Sequence, residues 1–346
     1  MQRKVIPFLV GLTLVFQAAS AVAQIFPSDI VPASQSIADR KVYRQAFTEL
    51  RRERLYYDYG AANTGVPVVC PSHTVWFSPM GRAGQVASLF SADRFNLESY
   101  GFQGGSTFFS TPDASVGLLL GYQRGLFRNG VSSNRFDDYN LGLYFSRFFD
   151  KTIECRGYIG GGHQRHNMHR FDGWDTYGSV YEGDSFELNL EVATYLDFWC
   201  GSRIRPYAAM DIEHVTQQAA QESGSGLWFL DYDRNTLSQL FFRVGFDIEK
   251  QWQRVDLIGG IGYTCMAIGK TAPSVAAFMP NFDYVDGMLP GTRFGRSSLN
   301  LRAGLNLHLN AARTNTLFID YMADIFMDRR IGSALHTGSV GFSVRF

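Results

Sequence analysis

The sequence has few cysteines, no net charge and, beyond its N-terminus, no long apolar run. Its 346 residues include 32 Lys and Arg and 32 Asp and Glu. Nucleic-acid-binding domains usually carry a basic excess, so this balance gives no indication of a nucleic-acid partner. A transmembrane helix needs about 20 apolar residues, and no segment after residue 23 supplies them. If the chain crosses a membrane, it must cross as β-strands.

The first 23 residues have the pattern of a secretory signal peptide. Arg3 and Lys4 precede an apolar run over residues 5–16, and Ala21-Val22-Ala23 matches an A-x-A cleavage site. The alternative is a membrane helix, for which the run is too short. We therefore expect export, with residues 1–23 removed.

From residue 74 onward, apolar and polar residues alternate in many short segments, the period of a β-strand with one apolar face. Several segments hold the roughly 9–11 residues that a tilted strand needs to cross a bilayer, and a β-sandwich seldom has so many strands of this length. The pattern predicts an all-β fold, a transmembrane antiparallel up-and-down barrel of about 12 strands over residues 72–346. The predicted strands are residues 74–80, 100–109, 115–125, 138–149, 152–162, 186–200, 203–215, 237–249, 255–263, 299–309, 317–327 and 336–346.

The connections between these segments alternate between short and long, and the longest covers residues 264–298. Outer-membrane barrels have short periplasmic turns and longer outer loops. Aromatic residues flank both kinds of connection, which predicts two interfacial girdles. Those near the short turns are Phe148, Phe149, Phe198, Trp199, Trp252 and Phe346, and those nearer the long loops are Tyr122, Tyr139, Tyr158 and Tyr263.

The C-terminal strand carries Val340, Phe342, Val344 and Phe346 on one face and small or polar residues on the other. A free apolar edge strand invites aggregation. In a closed barrel, however, the last strand pairs with the first. This ending therefore favours a barrel over a soluble sheet.

Four stretches resemble the autotransporter β-domain family, the twelve-stranded translocator of type V secretion. They are Tyr100-Gly-Phe-Gln-Gly-Gly, Gly117-Leu-Leu-Leu-Gly-Tyr, Tyr139-Asn-Leu-Gly-Leu-Tyr-Phe-Ser and Ile204-Arg-Pro-Tyr-Ala-Ala-Met-Asp, and the terminal Val-Arg-Phe adds to them. The resemblance implies a monomer embedded in outer-membrane lipid of a Gram-negative-type cell. It also implies insertion by the barrel-assembly machinery through the C-terminal strand, and a helix that threads the lumen before the first strand. Autotransporters normally carry a large passenger, whereas only residues 24–71 separate the signal peptide from this barrel.

Residues 36–57 read as a helix that Ser36 or Asp39 could cap. One face is apolar and the other is rich in arginine. This helix could lie in the periplasm, or it could lie in the lumen as a plug, with its arginines against acidic wall residues. The apolar face carries Ile37, Val42, Ala46, Leu50 and Leu55.

Many charged residues fall on the inward parity of the predicted strands. Such charges fit a hydrated, ion-selective lumen or a socket for the basic helix, and a slight acidic excess favours the socket. A one-residue slip would move any strand's charges to the other face. The main inward charges are Glu187, Glu191, Arg205, Asp211, Arg243, Asp247, Arg302 and Asp320.

Signals for other chemistry are weak. His163, His166 and His169, three residues apart in a predicted loop, are candidate metal ligands. Cys155 and Cys200 are the candidate disulfide, near the periplasmic ends of adjacent strands. No set of Ser, His and Asp stands at a diagnostic spacing, so we expect no catalytic residues, no enzyme activity and no cofactor.

The sequence thus predicts a passive, integral outer-membrane protein, translocator-like, channel-like or structural at the cell surface. One alternative is an open porin, which conductance would reveal. Another is a hydrolase at the outer rim, which mutation of loop His or Asp residues would reveal. A third is an adhesive protein that acts through its long loops.

Overall fold

A computed structural model describes residues 42–64, 73–87, 94–128, 132–149, 152–171, 175–224, 231–232, 234–269, 274–278, 287–290, 296–327 and 333–346. The predicted signal peptide, the segment 24–41 with the predicted caps Ser36 and Asp39, and Cys70 lie outside these ranges. Helix α1 (Tyr43–Thr64) begins the described chain and ends seven residues after the predicted boundary at Tyr57.

The described residues form a closed antiparallel barrel of twelve long strands. The strands are β1 (Thr74–Ala87), β2 (Arg94–Ser110), β3 (Ala114–Arg128), β4 (Ser132–Phe149), β5 (Ile153–Phe171), β6 (Thr176–Thr194), β7 (Ser202–Gln217), β8 (Asn235–Gln251), β9 (Val255–Gly269), β10 (Ser297–His308), β11 (Asn315–Phe326) and β12 (Ser333–Arg345). Each strand pairs with its neighbours in sequence, and β12 pairs with β1, where Phe77 lies opposite Phe342. The predicted fold class is confirmed.

The alternation of the sequence becomes the two faces of the barrel wall. In β4, Leu141, Leu143 and Phe145 are exposed on the outside, whereas Tyr144 and Ser146 are buried inside. Because side chains of a strand point alternately to opposite faces, one sequence pattern produces both an apolar outer surface and a polar interior. The outer surface is what a lipid environment requires.

The strands are longer than predicted. β5 and β6 have 19 residues each, well beyond the roughly 9–11 that a bilayer crossing needs. Residues 172–175 alone connect them, so the long loop expected over residues 162–185 is mostly strand. The prediction failed there because the outer parts of these strands continue the β period with polar residues, and an apolar pattern cannot mark them.

We call the end of the barrel with residues 111–113, 150–152, 195–201, 252–254 and 309–314 the turn end, and the opposite end the loop end. The turn end also holds the C-terminus, and there β6 ends at Thr194 rather than at Cys200. A short strand (Leu196–Phe198) and a 3-10 turn (Trp199–Gly201) follow it. In outer-membrane barrels, short turns face the periplasm.

A small second sheet joins the two longest connections of the loop end. Its strands are Gly287–Pro290, Ser274–Phe278, Asp231–Tyr232 and Ala220–Gln221, paired in that order. Ser223–Gly224 pairs in addition with β6. The connections after β7 and β9 therefore contact each other through backbone hydrogen bonds, which the sequence did not indicate.

Two residues of the predicted aromatic girdles face the interior. Phe148 and Tyr158 are buried, whereas Phe149, Tyr139 and Tyr263 are exposed on the outer surface. Parity explains the difference, because Phe148 and Phe149 are consecutive and must face opposite sides. The two buried rings contact the helix or its neighbours instead of lipid.

Candidate functional site: a helix held in the barrel lumen

Helix α1 lies inside the barrel. It runs from the half of the barrel nearer the loop end, which we call the outer half, to the turn end. The Tyr43 hydroxyl donates to Asp211 Oδ2 at 3.1 Å, ten residues into β7 from the turn end. At the other end of the helix, the Tyr57 hydroxyl donates to the carbonyl of Ser110 at 2.7 Å, and Asp58 pairs with Arg203 at 2.6 Å. With 22 residues, the helix is about 33 Å long at 1.5 Å per residue. It is therefore long enough to span the lumen at membrane depth.

One face of the helix packs against the wall formed by the first five strands. Val42, Ala46 and Leu50, predicted for the apolar face, are buried there together with Tyr43 and Phe47. The wall contributes four large apolar side chains, from Trp76, Leu119, Tyr144 and Tyr158. Burial of this face stabilises the helix in the lumen through the hydrophobic effect.

The wall aromatics are fixed by hydrogen bonds of their own. Trp76 Nε1 donates to the Tyr144 hydroxyl at 3.1 Å, and the Thr107 hydroxyl lies 3.0 Å from the same oxygen. The ring of Tyr144 lies over Gly117, its cross-strand partner on β3. A glycine at this position leaves the room that the ring occupies.

The opposite face of the helix pairs its arginines with carboxylates of β8 and β11. Arg44 binds both oxygens of Asp324, at 2.8 and 2.9 Å. Arg51 contacts Asp247, and its Nε lies 3.0 Å from Glu249. Arg52 pairs with Asp320 and with Glu49 of the helix itself. The wall supplies the counter-charges that a buried arginine needs.

The wall also carries a charge network of its own, centred on Arg205. Its guanidinium contacts Glu191 at 2.5 Å, Glu154 at 3.2 Å and Asp247 at 3.2 Å. Arg243 lies 3.4 Å from Glu191 and 3.7 Å from Asp211. Because Asp247 also contacts Arg51, helix and wall belong to one network.

All eight main inward charges predicted from the sequence lie on the interior face of the barrel. Four of them, Glu191, Arg205, Asp211 and Arg243, belong to the wall network, and Asp247 and Asp320 contact the helix. Arg302 donates to Thr48 of the helix, and Glu187 is buried opposite Glu213 in the adjacent strand.

Several contacts of the helix were not expected. Arg52 Nε donates to Asn306 Oδ1 at 3.0 Å, and its guanidinium lies 3.4 Å from the centroid of the Phe318 ring. The Arg54 guanidinium lies 4.1 Å from the ring centroid of Phe148. Inward parity places Asn306, Phe318 and Phe148 in the lumen, but an amide or a ring carries no charge that would mark it in the sequence as a partner of the helix.

The candidate metal site does not form, because His163, His166 and His169 belong to strand β5 rather than to a loop. His166 is fully buried on the inner face, whereas the other two are exposed on the outer face. Three imidazoles spread over both faces cannot bind one ion. Within the described residues, no group of three His, Cys, Asp or Glu side chains converges as a metal site.

The candidate disulfide is not present either. Cys155 carries a free thiol and lies opposite Val192 in β6. The strand ends two residues later, at Thr194, and the chain then turns before Cys200. The sequence placed both cysteines on one straight pair of strands, and the break after Thr194 removes that geometry. The side chain of Cys200 lies outside the described part of the structure.

One arrangement at the turn end has the residue types of a hydrolase triad. His308 lies 3.0 Å from the hydroxyl of Thr316 and 2.8 Å from Asp256. Asp256 also binds Arg313 at 2.9 Å, in the turn between β10 and β11. All four residues are buried, and they lie at the end opposite the outer rim. The contacts stabilise the turn and do not form the rim site expected for a hydrolase.

The fold and lumen together define a class: a twelve-stranded outer-membrane-type barrel whose interior holds a helix from the chain that precedes the first strand. The sequence model of the Autotransporter beta-domain family matches residues 75–321, most of the chain. The protein therefore belongs to the autotransporter β-domain family and is an outer-membrane β-barrel protein, as the resemblance implied. By sequence, no curated protein matches this chain.

Solved structures of the same fold include three autotransporter domains. The translocator domain of NalP from Neisseria meningitidis is 14% identical, with a TM-score of 0.66 over 90% of this chain and 99% of that domain. The β-domain of the Bordetella autotransporter BrkA is 14% identical, with a TM-score of 0.58 over 80% and 100%. The transport unit of AIDA-I from Escherichia coli is 10% identical, with a TM-score of 0.52 over 85% and 98%. In the described ranges, no helix is both long and apolar enough to span a membrane.

Proposed function

We propose that this protein is a translocator-type barrel that is closed by its own helix and has a passive, non-enzymatic role at the cell surface. The observation that carries the proposal is the pairing of Arg44, Arg51 and Arg52 with carboxylates of the wall. An open channel keeps its lumen charges in water, whereas here they are paired with a helix that fills the same space.

The direction of the helix extends the proposal. Its N-terminal end contacts the outer half of β7 and β11, and its C-terminal end contacts the turn end. We propose that the chain before Tyr43 leaves the barrel toward the cell surface. The barrel would then hold the residues that precede Tyr43 at its outer mouth.

We further propose how the protein is exported, its oligomeric state and how it is assembled. Residues 1–23 act as a cleaved signal peptide, supported by their basic, apolar and small-residue pattern. The barrel acts as a monomer. The barrel-assembly machinery recognises the C-terminal strand, supported by the outward face of Val340, Phe342 and Phe346.

Single-channel conductance of the refolded protein tests the closed state. We expect the unaltered chain to be nearly silent and a variant that starts at Ser72 to conduct. A variant with Arg44, Arg51 and Arg52 changed to alanine should open intermittently, because the helix loses its charge contacts. Its matched control changes three exposed arginines of β3 and β4, Arg124, Arg128 and Arg135, and should stay silent.

Heat-modifiable electrophoretic mobility would establish that each variant is a folded barrel before it is measured. Conductance by the unaltered protein equal to that of the shortened variant would contradict the plug and favour the open porin. A silent shortened variant would mean that wall side chains alone close the lumen.

A further inference from the structure

The seam at which the last strand closes the barrel, between β1 and β12, contains a proline. At the turn end of the seam, His73 and Phe346 exchange backbone hydrogen bonds, with N–O distances of 3.3 and 2.8 Å. In an antiparallel pair, every second residue bonds to the same neighbour, so Pro79 directs its backbone toward β12. Proline has no N–H, and the pairing of the two strands is interrupted at Ser78 and Pro79. The seam therefore lacks a hydrogen bond in the interior of β1.

The inner face of the seam is also poorly bonded at this level. The hydroxyls of Ser78 and Ser339 and the amide nitrogen of Gln45, on the helix, are buried and have no hydrogen-bond partner among the described residues. They line a cavity of about 30 Å³ between the helix and the seam. This space holds about two water molecules at about 10–15 Å³ each. Water in the cavity can compete with the hydrogen bonds that remain across the seam.

On the outer face, two glycines lie next to Pro79. Gly81 of β1 lies opposite Gly338 of β12, and both face outward by the alternation of their strands. Nearer the turn end, by contrast, the rings of Phe77 and Phe342 lie across the seam with their centroids 6.1 Å apart. The pairing of β12 with β11, its other neighbour, is unbroken along β11. The weakness is therefore on one side of β12 only, and it begins at Pro79.

Helix α1 bridges this seam from the inside. Glu53 accepts a hydrogen bond from the hydroxyl of Ser110, at the end of β2, and lies 3.4 Å from Arg345, at the end of β12. The Arg345 guanidinium also lies 3.7 Å from the centroid of the Tyr56 ring. Since β2 and β12 are the two neighbours of β1, one helix residue connects the strands on both sides of β1. The Glu53 and Arg345 side chains are buried, so solvent ions screen their attraction little.

We propose that the seam between β1 and β12 is the line along which the barrel wall opens, and that the contact of Glu53 with Arg345 is the latch that keeps it closed. Opening would begin at Pro79 and would expose the lumen to the lipid. This inference goes beyond closure of the lumen, because it gives the helix a role in holding the wall together. When the helix leaves the lumen, the latch is lost and the seam should open before any other pair of strands.

Hydrogen exchange of single backbone amides in the refolded protein tests the seam. By the alternation of hydrogen bonds along β12, Gly338 and Phe342 donate to β1, whereas Ser339 and Gly341 donate to β11. We expect protection factors about tenfold lower for the seam pair, which is roughly the effect of one backbone hydrogen bond. Pro79→Ala restores the N–H and should raise the protection of the seam pair only. Equal protection of the two pairs in the unaltered protein would overturn the proposal.

Arg345→Gln tests the latch. This variant should lower the protection of the seam amides several-fold more than that of the amides that donate to β11. The matched control is Arg54→Gln, which changes an arginine of the same helix that pairs with Asp58 and lies against Phe148 of β4. The control should lower the protection of both sets of amides alike.

An equal loss of protection in both sets of amides in Arg345→Gln would overturn the latch. If Arg345→Gln does not refold, Glu53→Gln, which keeps the size of the side chain, replaces it with the same expectation. Conductance reports whether the lumen is closed to ions, whereas exchange reports whether the seam holds. The plug and the latch can therefore fail separately.

Discussion

Arg44 of the helix and Asp324 of β11 form a two-pronged ion pair, with N–O distances of 2.8 and 2.9 Å, between segments 280 residues apart in sequence. This geometry is the most favourable one between an arginine and a carboxylate. It joins the element that precedes the barrel to the far side of the barrel wall.

We expect Arg44→Ala or Asp324→Ala to lower the free energy of unfolding by about 3–5 kcal/mol, because each removes one partner of a largely buried, two-pronged ion pair. The double variant should lower the free energy of unfolding by less than the sum of the two single effects. Urea unfolding of the four proteins in detergent micelles measures the coupling. The control cycle uses Arg128 and Glu98, an exposed pair with side-chain exposures of 53% and 59%, which should contribute about 0.2–1 kcal/mol. Equal coupling in the two cycles would contradict a special role for the helix contact.

Gly117 of the barrel wall provides a test of how the Tyr144 ring packs beside the helix. A Cβ at Gly117 would overlap with Cζ of Tyr144, a ring that packs near the helix and is held by Trp76 and Thr107. Gly117→Ala should therefore destabilise the barrel by about 1–3 kcal/mol through overpacking. Gly259→Ala is the matched control, because no atom lies within 4 Å of its Cβ, and this change should be neutral or stabilise by up to about 1 kcal/mol. Urea midpoints that fall equally in both variants would show that glycine flexibility, rather than the ring, matters.

The alternation of side chains along each strand explains why the residues that face the lumen could be predicted from the sequence. Glu191, Arg205, Asp247 and Asp320 were placed inside because side chains alternate strictly along a strand, so one correct register assigns a whole strand. The basic face of the helix and the acidic excess of the wall indicated a socket for the same reason.

Contacts that depend on distance across the barrel could not be predicted from the sequence. That Arg51 meets Asp247 and Arg44 meets Asp324 depends on strand stagger and on the depth of the helix, which leave no local pattern. The metal candidate at His166 failed because polar outer strands resemble loops when hydrophobicity is the only signal. The second sheet at the loop end joins segments far apart in the chain, for which a single sequence carries no pairing signal.

The direction of the helix predicts where the N-terminal segment lies in cells. An epitope tag inserted between Ala33 and Ser34 should bind antibody on intact cells, because Tyr43 lies in the outer half of the lumen. A tag inserted after Gln253, in the turn between β8 and β9, should bind antibody only after the outer membrane is permeabilised. Protection of both tags on intact cells would contradict the proposed exit toward the surface.

A substitution at Phe346 allows assembly into the outer membrane and folding stability to be measured separately. Phe346 closes the seam at the turn end through its backbone, with its N–H donating to His73 O at 2.8 Å, while its side chain is 76% exposed on the outer face. Phe346→Ala keeps those backbone contacts and removes only the outward ring. If the assembly machinery reads this strand end, the variant should accumulate several-fold less in the outer membrane, while its urea midpoint after refolding in micelles changes little. Leu309→Ala is the matched control, since Leu309 is also outward-facing at the turn end and is 53% exposed, but it belongs to another hairpin. An equal loss of both variants from the membrane would mean that apolar contact with lipid at this depth, and not recognition of the C-terminal strand, sets the amount of assembled barrel.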